Sequence, residues 1–145
     1  MGREIVFATE DGPLREAAIR PEWILEGKPL ARNRVLSQSA DRTAMTLVWD
    51  CTAGRFRWSY DEDETIRILE GGVTLTLPDG QVRTVGPGDV VFFPKGTQAE
   101  WTVDEYVRKL AFFRTPAPAP LALAGRAWRK LGGLLRRSSP AMSVG

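Results

Sequence analysis

The chain has 145 residues, 43% of them hydrophobic and 26% charged, which suits one small domain with a core plus a tail and excludes wholesale disorder. A single cysteine, Cys51, forbids an internal disulfide, and no run of about 18 apolar residues is present to form a membrane-spanning helix. The net charge of +2 hides an imbalance: residues 1–114 carry 15 Lys and Arg against all 18 Asp and Glu, whereas residues 115–145 carry five basic residues and no acid. The basic character therefore belongs to the tail, and the domain gives no reason to expect a nucleic acid partner.

Residues 1–40 are predicted to be an N-terminal arm with edge strands. The first residues lack the apolar run of a secretory leader, so a cytoplasmic location is the expectation. Pro21–Gly27 reads as a short edge strand or an arm covering one, and such arms often pair between protomers. Residues 41–114 read as the core of a barrel. Met45, Leu47 and Trp49 alternate with polar or outward positions, as do Phe56, Trp58 and Tyr60, and then Val73, Leu75 and Leu77. A period of two describes strands with one buried face. Asp79-Gly80, Gly71-Gly72 and Gly86-Pro87-Gly88 supply turns between them, and short strands at this spacing predict an all-β sandwich or barrel. Cys51 is expected to be a small buried hydrophobe at a strand end.

Two motifs give the fold a sharper reading. Gly88, Pro94 and Gly96 have the spacing G-x5-P-x-G, and Glu64 and Gly71 have the spacing E-x6-G. With Trp49, Gly54-Arg55-Phe56, Asp63-Glu64, Asp79-Gly80 and Trp101-Thr102-Val103 in order, the chain resembles the cupin superfamily. The resemblance is strongest to its small single-domain branch, that of the ureidoglycine aminohydrolase cupin domain and the ethanolamine-utilisation cupin. It implies a jelly roll, a double-stranded β-helix barrel, and a homodimer. It also implies that the metal-ligand positions are Trp58, Tyr60, Glu64 and Ala99, three of which hold histidine in the family. This chain has no histidine.

The expected cavity follows. If the strand is regular, Trp58, Tyr60, Glu62, Glu64, Ile66 and Ile68 share its inner face, with Ala99, Trp101 and Val103 opposite. Tryptophan and alanine do not bind metals, so no tight metal cofactor is expected; a weak divalent site through Glu62 and Glu64 stays open. Otherwise Asp61, Glu62 and Asp63 form a solvated turn. Glu64 and Tyr60 are the candidate catalytic pair, because a buried carboxylate suits acid–base work and Tyr60 could donate to it. The other reading is a structural pair, with Glu64 bonded to Tyr60 or to an arginine. Trp58 and Trp101 either wall a site for a small planar ligand or fill the volume left by the missing histidines. Lys109 either offers a cation to an anionic ligand or snorkels at the barrel end.

Residues 115–120 read as a Pro/Ala linker and 121–145 as a basic amphipathic tail, frayed over 138–145. Trp128, Leu131, Leu134 and Leu135 share one helical face, interrupted by Gly132-Gly133. Residues 121–137 resemble a surface anchor for anionic membranes; a loosely packed extension is the alternative. Three functions are therefore carried forward. One is a small-molecule binding protein, with Trp58, Trp101, Glu62, Ala99 and Lys109 as ligand residues. Another is a metal-independent acid–base enzyme, an isomerase, lyase or amidohydrolase-like catalyst using Glu64 and Tyr60. The third is a dimeric scaffold whose tail contacts a membrane.

Overall fold

A computed structural model describes residues 4–137. It contains nine strands: β1 Arg15–Glu16, β2 Ile24–Glu26, β3 Ala31–Gln38, β4 Ala44–Ser59, β5 Asp63–Gly71, β6 Val73–Thr76, β7 Val82–Val85, β8 Val90–Phe93 and β9 Gln98–Arg114. One helix, α1 Ala119–Arg137, follows. The all-β jelly roll with a short C-terminal helix is the fold expected from the alternation and the two motifs.

Two long strands, β4 and β9, build both sheets. Their register breaks where Thr52 faces Tyr106 and Gly54 faces Val103, and at this bulge both strands pass from one sheet to the other. The first half of β4 pairs with β3, and the second half of β9 pairs with β5, giving a sheet in the order β1-β3-β4-β9-β5-β8. Beyond the bulge, β4 pairs with β2 and β9 pairs with β6, which pairs with β7. Pro21–Gly27 thus contains an edge strand, entered through one 3-10 turn at Pro21–Trp23.

Glycine is demanded at the corners. At Gly54 a Cβ would lie 2.7 Å from two Pro29 carbons. Gly71 has φ +69°, and a Cβ there would meet the Tyr106 carbonyl oxygen at 2.0 Å. The glycine that closes the E-x6-G spacing is therefore fixed by the close passage of β5 beside β9. The core lies between the sheets, with Leu47, Cys51, Ile66, Ile68, Val107 and Ala111 on one side and Phe56, Leu75, Trp101 and Val103 among those on the other.

Cys51 is buried in mid-strand rather than at a strand end, paired with Ala31 and Val107. The chain divides into two compact units, Met1–Thr115 and Pro116–Gly145. Within the second, α1 runs unbroken through Gly132-Gly133, where the glycines suggest an interruption. The expected fraying at 138–145 and the side chain of Leu135 lie outside the described residues.

Candidate functional site

Glu64 is the first inward residue of β5, in register with Phe113 on one side and Phe93 on the other. Burial among aromatic rings is costly for a carboxylate unless a partner is supplied. The partner is Lys109. Its position on β9 is level with Ile68, so its stem spans the buried Ala111–Ile66 row to bring Nζ within 2.9 Å of Glu64 Oε2. The small Ala111 leaves room for that path. Lys109 is therefore turned inward and paired rather than snorkelling at the barrel end; its side chain is 6% exposed and that of Glu64 is 1%. The ammonium also lies 4.7 Å from the Trp49 ring centroid and 4.8 Å from that of Trp101. A desolvated cation over two indole faces gains about 2 kcal/mol or more from such contacts.

Tyr60 is held by the G-x5-P-x-G loop. The Gly96 N–H donates to the Tyr60 carbonyl at 2.7 Å, and the Tyr60 N–H donates to the Thr97 carbonyl at 3.0 Å. Its ring stacks on Phe93 at 4.3 Å between centroids. Its hydroxyl accepts the Trp101 Nε1–H at 2.9 Å, where the sequence suggested that it would donate to Glu64. Burial, with the negative charge of Glu64 adding to it, raises the Tyr60 pKa well above the usual tyrosine value. The phenol keeps its proton and cannot act as a base.

Two adjoining cavities open beside the ion pair. One, of about 260 Å³, is lined by residues that include Asn33, Trp49, Trp58, Glu64, Lys109 and Phe113. The other, of about 200 Å³, is lined by residues that include Trp23, Trp58, Tyr60, Glu62, Glu64 and Phe113. Trp58, Glu64 and Phe113 belong to both.

The structure therefore brings Trp58, Tyr60, Glu62, Glu64 and Lys109 together. It does not bring Ala99 or Trp101 to these cavities. Ala99 faces Trp58 across the ladder and lines a separate depression with Arg57 and Glu100. Trp101 is 1% exposed and packs among Phe56, Phe93 and Trp49, so it fills the core, whereas Trp58 lines both cavities. The shared face from Trp58 to Ile68 also needs correction, because β4 ends at Ser59 and a bend at Asp61–Glu62 precedes β5. Asp63 is not part of a solvated turn: it accepts the Lys95 N–H at 2.9 Å and pairs with Arg114 at 3.0 Å. These contacts hold its carboxyl below the usual aspartate value.

Sequence reasoning missed Trp49, Trp23 and Phe113. Trp49 was visible as an inward position, yet nothing signalled a cation above it. Trp23 meets Trp58 edge-to-face at 5.0 Å only because β2 docks on β4. Cys51 offers no nucleophile: burial pushes its thiol up to about 12.

The sequence matches the EutQ-like cupin domain over residues 38–111, just over half of the chain. The chain belongs to the EutQ-like cupin family. No curated protein matches it. Among solved structures it resembles a DUF861-family protein of unknown function from Pseudomonas syringae pv. tomato, with a TM-score of 0.67 and 28% identity. That match covers 72% of this chain but 46% of the Pseudomonas protein, so the cupin spans about half of that relative's length. A putative ethanolamine utilization protein Q from Salmonella typhimurium matches with a TM-score of 0.54 and 18% identity, covering 76% of this chain and all of that one. The polyketide cyclase RemF from Streptomyces resistomycificus matches with a TM-score of 0.54 and 20% identity over 72% of this chain and 76% of its own. Both of these show the fold.

Cupins commonly hold a metal, and the residues at the corresponding positions of this cupin do not fit one. Trp58 and Ala99 carry no ligand atom, the Tyr60 oxygen accepts a Trp101 N–H, and one Glu64 oxygen is taken by the Lys109 ammonium. Among the described residues no three His, Cys, Asp or Glu side chains converge as a metal site. Nor among them is any helix long and apolar enough to cross a membrane.

Proposed function

We propose that this cupin is a small-molecule binding protein whose ligand enters beside Trp58 and presents an oxygen acceptor to Lys109. The observation that carries the reading is the placement of the Lys109–Glu64 pair, which lines a cavity although it is nearly closed to solvent. An ammonium has three N–H donors, and Glu64 takes one. The ammonium's other close contacts are the Trp49 and Trp101 rings, and a ligand oxygen in the cavity can take one of its remaining donors. Trp23, Trp58 and Phe113 supply apolar walls for a flat or cyclic body, and Glu62 lies at the polar edge. At about 260 and 200 Å³ each cavity is smaller than the roughly 300 Å³ at which drug-sized ligand sites begin, which limits the occupant to a small metabolite.

A second reading, a metal-independent acid–base enzyme, rests on Glu64 and Tyr60 lining the same cavity. It is the weaker reading, since Tyr60 holds its proton and Glu64 keeps only the oxygen not bonded to Lys109 to take one. Native mass spectrometry of the purified full chain, with elemental analysis, tests the proposal. The expected result is a metal-free protein carrying an extra organic mass that the Trp58→Ala variant sheds while still folded. A bare protein, or one with stoichiometric metal, counts against ligand binding at this site as described.

A further inference from the structure

We infer that α1 is an amphipathic anchor that lies on an anionic phospholipid surface. At about 100° per residue, Leu123, Leu134, Ala127, Leu131, Ala124 and Trp128 fall within an arc of about 140°. Arg126, Arg129 and Lys130 fall within a separate arc of about 100°. The apolar arc is not buried: Leu123 is 60% exposed, Leu131 56% and Trp128 78%. Trp128 stands at the border of that arc, where an amphipathic indole sits at headgroup level when such a helix lies in an interface. Residues 115–145 contain no acid, so nothing on the segment opposes approach to negative charge.

Both faces must be satisfied by one partner, and this decides the class. A nucleic acid backbone would take the cations and leave the leucines in water. An apolar protein groove would take the leucines but leave the cations unmatched unless acids rimmed it. An anionic bilayer surface takes both at once, with the leucines among the upper acyl chains and the cations among the headgroups. The helix is too polar to cross the bilayer and would lie in its plane. The inference is independent of the cavity, since it rests on the sequence and the exposure of α1 alone.

The test is flotation of the full chain with vesicles of phosphatidylcholine alone and of equimolar phosphatidylcholine and phosphatidylglycerol. Binding to the anionic vesicles alone is expected, with loss in about 1 M salt, where the Debye length falls to about 3 Å. Leu131→Glu should abolish flotation, and Arg129→Ala should weaken it about fivefold, the worth of one cation near an anionic surface. An unchanged barrel melting temperature shows that both variants remain folded. No flotation of the wild type, equal flotation with neutral vesicles, or undiminished flotation of Leu131→Glu overturns the inference. Retention on single-stranded RNA that Leu131→Glu leaves intact, without vesicle binding, would assign the helix to nucleic acid instead.

Discussion

Replacing Glu64 by Gln leaves the Lys109 ammonium buried without its counter-charge, and replacing Lys109 by Met leaves the Glu64 carboxylate between Phe93 and Phe113. Both side chains are almost fully shielded, at 1% and 6% exposure, so solvent cannot compensate either loss. Breaking one half of a buried pair costs about 3–5 kcal/mol, the lower end applying to Gln, whose amide oxygen can still accept from Lys109. The two variants combined leave no unpaired charge, and an apolar or neutral replacement of a whole buried pair is often neutral or stabilising by about 1–4 kcal/mol. The double variant should therefore be more stable than either single one. Urea denaturation followed by circular dichroism reads this directly. With a slope of about 2 kcal/mol/M, each single change lowers the midpoint by about 2 M, and the double variant recovers most of that loss. Additive losses, or single changes that cost less than about 1 kcal/mol, would refute a coupled buried pair.

Trp101→Ala should cost about 3–5 kcal/mol, as removal of a packed core aromatic does, and Trp58→Ala clearly less because its ring lines an opening; thermal melting ranks the two. Asp41 accepts from Ser39 and Thr43, which lowers its pKa from 3.8 to about 2. Its folded-state value is depressed, so its contribution is present above pH 3.8 and is lost as the pH falls toward 2. Asp41→Asn should thus destabilise at pH 5 and match the wild type near pH 2, as denaturation at both values would reveal. Cys51, with its thiol pushed up to about 12, should resist alkylation at pH 8 in the folded protein and react fully in denaturant. Rapid native labelling would disprove its burial.

The frame was legible because its signals are local. Gly71 is fixed by a close approach to Tyr106, and Gly88 and Gly96 by turns with φ of +90° and +87°. Alternation also placed Glu64 and Trp101 on inner faces without knowledge of their neighbours. What could not be read depends on register between strands distant in sequence. Lys109 meets Glu64 only because Ile68 is level with Lys109 and Phe113 with Glu64, which sets the stem length needed. Trp58 and Trp101 have the same inward parity, yet Trp58 sits at the end of β4 and Trp101 well within β9. Parity reports the face, and position along the strand decides whether the ring packs or lines an opening.

On the proposed binding function, the absence of histidine changes the kind of ligand the cavity would take. In this cupin the cation beside Glu64 comes from the chain itself, and at 2.9 Å the attraction is about 6 kcal/mol for an effective dielectric constant of about 20. Breaking a buried pair costs about 3–5 kcal/mol, more than the ~1.5–3 kcal/mol that one hydrogen bond to a charged group returns. A ligand offering a single such bond therefore does not displace Glu64 from Lys109. It must bind beside the pair, using a donor that Glu64 leaves free. The pair is already neutral, so a full anion would bring an uncompensated charge into a space lined by Trp49, Trp58 and Phe113. A carbonyl, amide or hydroxyl oxygen accepts from the same ammonium without that desolvation cost. The chemistry of the cavity therefore favours a neutral oxygen acceptor over a carboxylate or phosphate, even though the residue that meets it is a lysine.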